Sequence, residues 1–399
     1  MSRRELLDVV VVGAGVVGAA AALAFARDGL EVALVEAREP PRWQAERPDL
    51  RVYAFAPDNA ALLDDLGVWP AVRDARVQPY RGMRVWDAAG GGELAFDADA
   101  FGRRELGWIV EHGLLVDRLW AALPAAGVQV HCPNRVEALE RDPADSVGML
   151  LDGGRRLRAR LLVAADGAES QLRRLAGIAA DGHDYHQRGL VAYVDSALSH
   201  QATCWQRFLP SGPIAFLPTV GDPGARDRRS SIVWTLPERE AERLLAIDDG
   251  AFLGELERAF DGRLGALTAV SARAAFPLRR QLVQRYFAGR VVVAGDAAHV
   301  VHPLAGQGVN LGLRDVAGLR ALFRQAQRRG VDPGSPHRLA RWARTRRSEN
   351  ALAAHGFDGL NKLFSNDELA ATLLRGPLLG LAGKLPPLTH YFWKRAAGL

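Results

Sequence analysis

Two periodicities of apolar residues alternate along the chain. Continuous apolar runs at 7–12, 161–165 and 291–294 each lead into a glycine-containing turn, a pattern typical of strands that are buried on both faces. Apolar residues at helical spacing follow over about 16–27 and 309–325. Buried strands that alternate with helices predict an α/β domain built on a parallel sheet.

A second pattern occupies the middle of the chain. From about residue 185 to residue 276, helical periodicity fades and apolar residues alternate with polar ones. Period-two alternation predicts antiparallel strands, and a helix pair expected over 238–260 would cover one face of their sheet. An antiparallel-sheet domain is therefore expected as an insertion in the α/β domain, which ends in a helical C-terminus. The predicted strands are 189–194, 204–208, 214–218 and 230–236.

Composition narrows the class of protein only slightly. The 399 residues are 48% hydrophobic and 24% charged, as in ordinary globular proteins of more than one domain. The net charge of +5 comes without the basic blocks and interleaved aromatics that nucleic-acid binding would require. Two cysteines, Cys132 and Cys204, fit neither a metal site nor a disulfide framework. We therefore expect no metal, no nucleic acid and a reduced, cytoplasmic setting.

A glycine fingerprint follows the first strand. The chain there is Gly13-Ala14-Gly15-Val16-Val17-Gly18, and Glu36 comes eighteen residues after the last of these glycines. This is Gly-x-Gly-x-x-Gly in a strand–turn–helix setting, where Gly13 would make the tight turn, Gly15 would let a pyrophosphate approach and Gly18 would let helix pack on strand. Glu36 would accept hydrogen bonds from the hydroxyls of an adenosine ribose, which favours FAD or NAD over NADP.

Two further loops follow buried strands. The first is Asp166-Gly167-Ala168-Glu169-Ser170-Gln171-Leu172-Arg173, of the form Asp-Gly-x-x-Ser-x-x-Arg, in which Ser170 is a predicted helix N-cap. The second has Asp296 at its start and Gly306 and Gly308 at its end. Free backbone N–H groups and the positive end of the following helix would there lie beside a bound ligand.

The second of these loops has the most specific amino-acid sequence. Residues 302–315 are His-Pro-Leu-Ala-Gly-Gln-Gly-Val-Asn-Leu-Gly-Leu-Arg-Asp. With the two earlier motifs, this loop resembles the flavin-binding motifs of the class A flavoprotein monooxygenases, the group of para-hydroxybenzoate hydroxylase. Within that group it resembles the ubiquinone-biosynthesis FAD-dependent hydroxylase family, and the resemblance extends over roughly residues 7 to 399.

The resemblance implies a Rossmann-type FAD-binding domain, an inserted antiparallel-sheet substrate domain and a helical C-terminus. The tail pairs apolar with basic residues, which suits contact with a membrane surface or packing across the FAD-binding domain. The expected division of the chain is 1–77, 103–182 and 283–350 for the FAD-binding domain, 78–102 for a hairpin of the substrate domain, 183–282 for the antiparallel-sheet substrate domain, and 351–399 for a C-terminal helical region in contact with a membrane.

The resemblance also implies which residues contact the cofactor. Arg51, in Asp49-Leu50-Arg51-Val52-Tyr53-Ala54, is expected near the flavin, and His112 is expected to face the flavin or solvent. The expected cofactor-binding residues are Gly13, Ala14, Gly15, Val17, Gly18, Glu36, Ala37, Arg51, His112, Val136, Asp166, Gly167, Asp296, Pro303, Gly306, Gln307, Gly308, Val309 and Asn310.

The implied chemistry belongs to a single FAD. An external donor, NAD(P)H or an electron-transfer protein, reduces the flavin, which reacts with O2 to give a flavin hydroperoxide that hydroxylates an activated aromatic ring. The protein would hold ring and flavin together and exclude water. His299, His302 and Pro303 are the catalytic candidates. The two histidines would assist deprotonation of a phenol, and a structural role is the alternative for each.

Three classes of function follow from this. The loop sequence and the apolar, basic tail favour a polyprenylated phenol or quinol as substrate and a peripheral contact at the inner membrane, and the resemblance implies a place in a biosynthetic complex. The alternatives are a hydroxylase of a small soluble aromatic and a non-catalytic protein that holds a prenyl chain. Aromatic residues within 205–218 could line the substrate cleft or fill the core of the sheet.

Overall fold

Strands and helices alternate along the chain, and the computed structural model describes them over residues 6–88, 92–141, 145–221, 227–301 and 308–364 and at residues 394 and 398. The strands are β1 Leu7–Val12, β2 Val32–Val35, β3 Val52–Phe55, β4 Gln78–Tyr80, β5 Gly82–Asp87, β6 Glu93–Asp97, β7 Gly107–Glu111, β8 Gln129–His131, β9 Val136–Arg141, β10 Val147–Leu151, β11 Arg156–Ala164, β12 Ala180–Ser196, β13 Thr203–Phe208, β14 Ile214–Pro218, β15 Arg229–Pro237, β16 Leu267–Val270, β17 Ala274–Val283, β18 Phe287–Ala288, β19 Val291–Val293 and β20 His299–Val300. The helices are α1 Val16–Arg27, α2 Pro57–Asp65, α3 Trp69–Ala75, α4 His112–Ala122, α5 Gln171–Leu175, α6 Glu238–Ala246, α7 Asp249–Phe260, α8 Gly308–Arg328 and α9 Pro336–Phe364.

The first sheet is built around β1. Within the described residues its strands lie in the order β18-β19-β11-β1-β2-β8, with β10 beside β11 and β9 beside β10. Strands β1, β2, β8, β11 and β19 run parallel, in a register that pairs Val9 with Val32 on one side and with Leu161 on the other. Parallel strands place their carboxyl ends at one edge, so the segments that follow β1, β2, β11 and β19 meet there.

Helix α1 lies deep in the core and contacts β1, β2, α4 and α8. Every residue from Gly18 to Phe25 is buried, and most of them are alanines that let the neighbouring elements approach closely. The ring of Phe25 packs on that of Phe323 in α8, with centroids 4.8 Å apart. The glycine turn before α1 is therefore fixed between the sheet and a helix from the last third of the chain.

The second sheet is antiparallel apart from one pair of strands. In the described part of the chain its order is β20-β17-β12-β15-β14-β13-β5-β6, with β16 beside β12. Strand β5 pairs in parallel with β13, so the segment predicted as a hairpin adds its two strands to this sheet. One face carries Leu190, Phe216 and Ile232, which pack with α6 and α7. The predicted strands with one buried face are confirmed, as is the helix pair.

A third, three-stranded sheet of order β3-β7-β4 lies between the other two. Its alternating side chains point to different cores. Phe55 and Val110 belong to the core of the first sheet. Ala54 and Ile109 pack with Cys204 and other residues of the second sheet. The predicted α/β fold with an antiparallel second sheet is confirmed, and the exact domain boundaries stay predictions.

Two predicted elements differ in the structure. Apolar spacing predicts a single strand over 128–139, but the structure has two strands there, because the backbone N–H of Asn134 donates to the carbonyl of Glu36 at 2.9 Å. Strand β8 therefore joins β2, whereas β9 joins β10. Apolar spacing predicts a helix over 339–354 and a second helix from residue 358, whereas α9 runs as one helix over Pro336–Phe364. The predicted tail contact lies outside the described residues.

Candidate active site

The turn after β1 is shaped by its glycines. Gly13 has a φ of +94°, and a side chain at this position would collide with the backbone of Ala165. A side chain at Gly18 would collide with the carbonyl of Gly13. At Gly15, by contrast, a Cβ atom would meet nothing within 4 Å. Gly13 and Gly18 thus serve the turn and the packing, whereas Gly15 leaves an open cradle at the N-terminus of α1.

Glu36 lies beside this turn, at the end of β2. Its Oε2 accepts a hydrogen bond from the backbone N–H of Ala14 at 2.6 Å, and its Oε1 accepts one from the backbone N–H of Arg38 at 3.1 Å. Glu36 is half-buried and Ala37 is exposed. The carboxylate therefore braces the glycine turn and keeps part of its surface open at the position where ribose hydroxyls are expected.

Val17 joins the first motif to the third. A Cβ atom on Gly295, which has a φ of +59°, would lie 3.1 Å from the Val17 methyl groups. A Cβ atom on Gly312 would lie 2.6 Å from one of them. Val17 thus fills the space between Gly295, at the start of the third loop, and Gly312 in α8. The predicted contact between Val17 and the cofactor stays a prediction.

The second motif is held by its own short helix, α5. The Asp166 carboxylate accepts hydrogen bonds from the Ser170 hydroxyl and from the backbone N–H of Leu172, the latter at 3.1 Å. The Ser170 Oγ accepts one from the backbone N–H of Arg173 at 2.9 Å, which confirms the predicted N-cap. Asp166 is therefore occupied as a cap. Gly167, with a φ of +82° and no atom within 4 Å of an added Cβ, leaves open space beside it.

Arg173 ties the second motif to the third. It is buried, and its guanidinium NH1 donates to the carbonyls of Ala168 and Ala297, each at 3.0 Å. Ala297 directly follows Asp296. The sequence pattern contained Arg173 but did not reveal this contact, because its partner is 124 residues away. The three motifs are thus interlocked around one sheet edge.

Asp296 and Arg51 lie at the open side of that edge. The Asp296 side chain keeps solvent access, yet the protein packed around it removes enough solvation to raise its pKa, an effect that His299 and Arg51 oppose. From a solvent-accessible carboxyl in such crowded surroundings we infer a recess at this edge. The exposed Arg51 guanidinium has no hydrogen-bond or ion-pair partner among the described residues. Both groups can therefore meet a ligand.

Tyr53 and His112 form a pair next to Arg51. The Tyr53 Oη and the His112 Nδ1 are 2.9 Å apart, and the backbone N–H of His112 donates to the Arg51 carbonyl at 2.9 Å. Burial lowers the pKa of His112 to about 4, and the charge of Arg51 adds to this effect. Burial also raises the pKa of Tyr53. Both side chains are therefore neutral at neutral pH. Sequence reasoning did not single out Tyr53.

His299 lies in a buried ion network and not in the recess. Its ring is 0% exposed, and its Nε2 is 2.7 Å from Oδ2 of Asp315. The same oxygen accepts from the backbone N–H of Gly295 at 3.0 Å, and Oδ1 accepts from Arg346 Nε at 2.7 Å. Burial alone would raise the pKa of Asp315, but His299 and Arg346 hold it at about 2. Because a fully buried ring has no access to a substrate, the candidacy of His299 for proton transfer is not supported.

Asn310 fixes the start of α8 to β3. Its Nδ2 donates to the carbonyl of Ala54 at 2.8 Å, and its Oδ1 accepts from the backbone N–H of Ala56 at 3.0 Å and from Asn59 Nδ2 at 2.9 Å. The side chain is 0% exposed, so its amide serves this junction. Sequence reasoning had assigned Asn310 to the cofactor, and the structure gives its side chain a structural task.

The remaining predicted positions divide into three groups. Val136 and Val309 are buried in the core of the first sheet. Gly308 begins α8, and an added Cβ atom there would meet nothing within 4 Å. The predicted residues that lie outside the described part of the chain are His302, Pro303, Gly306 and Gln307.

The face of the second sheet that is turned toward the first sheet is not the face that α6 and α7 cover. Trp205 and Phe216, which the sequence left open between cleft and core, belong to the core beneath α6 and α7. Strand alternation puts Ala215, Leu217 and Val233 on the opposite face, where they are half-exposed. This face is apolar and uncharged at these positions. A cavity of about 200 Å³ lies beside it, lined by Val52, Arg76, Glu111, Tyr193, Arg229 and neighbouring residues.

The recess at the sheet edge fits a dinucleotide cofactor. The cradle at Gly15 faces the N-terminus of α1, where backbone N–H groups suit a pyrophosphate. Glu36 suits a ribose, and Arg51 and Asp296 offer one positive and one acidic group farther along the edge. The arrangement combines an anion cradle, a hydroxyl acceptor and a solvent-accessible recess, as FAD requires.

Comparison with known proteins agrees with this geometry. Residues 6–347 match the family model described as an FAD binding domain. The chain is 38% identical to the ubiquinone hydroxylase UbiL of Rhodospirillum rubrum over 100% of this chain and 91% of that protein. It is 35% identical to the 3-demethoxyubiquinol 3-hydroxylase of Escherichia coli over 98% of both chains.

Solved structures give the same fold. The p-nitrophenol 4-monooxygenase of Pseudomonas putida is similar with a TM-score of 0.77 at 20% identity, covering 98% of both chains. Klebsiella pneumoniae HpxO, solved with FAD and uric acid, is similar with a TM-score of 0.74 at 19% identity, covering 98% of this chain and 96% of that one. With the sequence identities above, the chain belongs to the ubiquinone-biosynthesis hydroxylase family of FAD-dependent aromatic-ring monooxygenases.

Proposed function

We propose that this enzyme hydroxylates the aromatic ring of a polyprenylated phenol or quinol in ubiquinone biosynthesis. The observation that carries the proposal is the full-length identity of 35–38% to two hydroxylases named for ubiquinone or demethoxyubiquinol. The half-exposed apolar face at Ala215, Leu217 and Val233 supports it, because such a face suits a ring with an apolar substituent. In the cavity beside this face, the Arg76 and Arg229 guanidiniums are paired with Glu111 and Asp195, so their charges are already balanced by the protein and do not call for an acidic substrate.

In this proposal the sheet edge holds FAD. The Gly15 cradle receives the pyrophosphate, Glu36 takes the adenosine ribose, and Arg51 and Asp296 lie along the rest of the dinucleotide. The bound flavin, reduced by NAD(P)H or an electron-transfer protein, supplies the oxygen chemistry. The chain orients the ring, and the packed walls of the recess keep water from the reacting atoms.

The substrate is tested in a strain that lacks this gene. Mass spectrometry of its quinone lipids is expected to detect a prenylated intermediate that lacks one hydroxyl group. Return of the intact gene should restore the ubiquinone pool. If the pool is unchanged without the gene and soluble phenols are hydroxylated in vitro, the substrate is a small aromatic and the proposal is wrong.

The cofactor site is tested with a matched pair of glycine variants. Gly15→Ala adds a methyl group in open space, so the fold is expected to stay intact while FAD content falls at least about tenfold, because the methyl group fills the cradle. Gly18→Ala places its methyl group against the Gly13 carbonyl and is expected to destabilise the fold itself. A Gly15→Ala or Asp296→Ala protein with full flavin content and activity would contradict this site.

A peripheral membrane contact belongs to the same proposal. Within the described ranges no helix is both long enough and apolar enough to cross a bilayer. A protein acting on prenylated lipids is nevertheless expected to bind vesicles of anionic lipids through its apolar and basic tail. Flotation of the whole chain, compared with a chain that ends at residue 364, measures this. Equal and negligible flotation of both chains would remove the membrane contact from the proposal.

A further inference from the structure

Tyr53 and His112 hold one another in a fixed geometry. Their side chains are joined at 2.9 Å, from the Tyr53 hydroxyl to the His112 Nδ1, and their rings meet edge to face, with centroids 5.7 Å apart and planes inclined by 75°. His112 is the first residue of α4, and its backbone N–H is bound to the Arg51 carbonyl at 2.9 Å. Both the backbone and the ring of His112 are thus fixed beside Arg51.

The direction of this hydrogen bond follows from the available partners. Among the described residues, His112 Nδ1 is the acceptor within reach of the Tyr53 hydroxyl. If His112 carried its proton on Nδ1, the two groups would face each other as donor to acceptor, and the hydroxyl hydrogen of Tyr53 would lose its partner. Tyr53 is half-buried in crowded surroundings, where a hydroxyl without an acceptor is costly, so the arrangement with an unprotonated Nδ1 is favoured.

The charge state of His112 agrees with this direction. The surroundings of the imidazole are crowded and include the positive charge of Arg51, with Asp49 as the opposing charge. They hold the ring neutral at neutral pH. A neutral imidazole carries one proton, and an unprotonated Nδ1 leaves that proton on Nε2. Within the described part of the chain, Nε2 has no hydrogen-bond partner.

We propose that Tyr53 fixes His112 as the Nε2–H tautomer, so that His112 acts in the recess as a hydrogen-bond donor to an oxygen of FAD and not as a base. Tyr53 is then a positioning residue that works through His112. The inference rests on the proposed FAD site, since it needs a cofactor oxygen in front of Nε2. It gives a specific chemical role to a residue outside the glycine motifs.

The tautomer is measured on the apoprotein with ¹⁵N-labelled histidine. Two-dimensional NMR at neutral pH is expected to give His112 the shift pattern of a protonated Nε2 and a bare Nδ1, with the signal assigned by its loss in His112→Gln. In Tyr53→Phe, which removes only the hydroxyl, a mixture of both tautomers is expected. A protonated Nδ1 in the wild-type chain overturns the proposal, and so does an unchanged spectrum in Tyr53→Phe.

The donor role is measured by FAD titration of the apoprotein with a matched pair of variants. His112→Gln keeps an N–H donor near the Nε2 position, so its Kd for FAD should stay within about threefold of wild type. His112→Asn keeps an acceptor near the Nδ1 position for Tyr53 but loses the donor, so its Kd should rise about tenfold. Equal Kd values for the two variants overturn the donor role. Because the wild-type and Gly15→Ala titrations test the FAD site separately, that result would leave the site proposal intact.

Discussion

The parallel sheet and the antiparallel sheet differ in how completely their buried polar groups are paired. Beside the parallel sheet, the single carboxylate of Asp315 has four hydrogen-bond partners, which are Gly295, His299, Arg346 and Asn350. In the described part of the antiparallel sheet, the buried side-chain atoms without a hydrogen-bond partner include those of Trp86, Ser230, Ser231 and Trp234, and the parallel sheet has such an atom on His131.

We attribute this difference in hydrogen bonding to the different tasks of the two sheets. The parallel sheet ends in loops that have to keep irregular backbone shapes around a cofactor, and such shapes require paired polar side chains. The antiparallel sheet presents a regular surface, which the strand register and an apolar core fix on their own. Substitutions of polar residues should therefore be costly at the first sheet and nearly neutral at the second.

The largest effect is expected at Asp315. Replacing it with asparagine removes the charge that faces Arg346 and His299, both at most 5% exposed, and leaves the buried guanidinium with only the exposed carboxylate of Glu349 as a counter-charge. We expect Asp315→Asn to lower the free energy of unfolding by about 3–5 kcal/mol in urea titrations. The control is Glu349→Gln, because Glu349 also pairs with Arg346 but its side chain is 49% exposed.

The control should cost less than about 1 kcal/mol, since an exposed ion pair contributes little. Similar losses for Asp315→Asn and Glu349→Gln would mean that burial of the network does not matter. The contrast between the two sheets would then lose its main support.

A smaller effect is expected from pH. Because His112 has a pKa of about 4 in the folded chain and about 6.5 when unfolded, only the unfolded chain takes up its proton between those values. The stability contributed by neutral His112 is thus complete above pH 6.5 and is lost as pH falls toward 4. Relative to His112→Gln, the wild-type chain should lose up to about 3 kcal/mol between pH 7 and pH 4.

Parallel urea titrations of both proteins at several pH values measure this difference, in which the ordinary carboxylates cancel. An identical pH dependence would show that His112 is not held neutral by its surroundings.

A serine-to-alanine substitution can be compared at the two sheets, because Ser170 lies beside the parallel sheet and Ser231 lies in the antiparallel sheet. Ser170 caps α5 with its Oγ and binds Asp166, so Ser170→Ala is expected to cost about 1–2 kcal/mol. Thermal and urea unfolding measure this loss. A loss of unfolding free energy below about 0.3 kcal/mol would show that the cap contributes little to stability.

The smallest effect is expected at Ser231. Its Oγ is buried and has no partner among the described residues, so Ser231→Ala removes an unsatisfied group and should change stability by less than about 0.5 kcal/mol, or raise it. If Ser231→Ala costs as much as Ser170→Ala, the comparison between the sheets is wrong.

The same difference explains what the sequence could predict. The glycine turn and Glu36 were recognisable because strand, turn and helix follow one another locally. The strands of the second sheet were recognisable by period two, although β17 was not among those predicted. Arg346 and Asn350 gave no signal, since their partner Asp315 is more than thirty residues away along the chain.

Burial was the other missing quantity. His299 stands in a loop after a strand, a common place for a catalytic histidine, and its sequence neighbours do not reveal that its ring is enclosed. Tyr53 looked like an ordinary strand residue for the corresponding reason, since the pairing with His112 depends on how β3 meets the start of α4. Fold class thus follows from periodicity, whereas the tasks of individual polar residues depend on distant packing.

The position of α1 has a consequence for how the chain is made. The helix is complete once about thirty residues have been synthesised, but Phe25 rests on Phe323 and Val17 fills the gap at Gly312. At typical rates of translation these partners emerge on the order of 15 to 60 seconds later. During that interval a helix that is apolar from Val16 to Ala26 is not covered by its partners from the last third of the chain. The nascent enzyme is therefore expected to depend on a chaperone that shields its first thirty residues until the last third of the chain has left the ribosome.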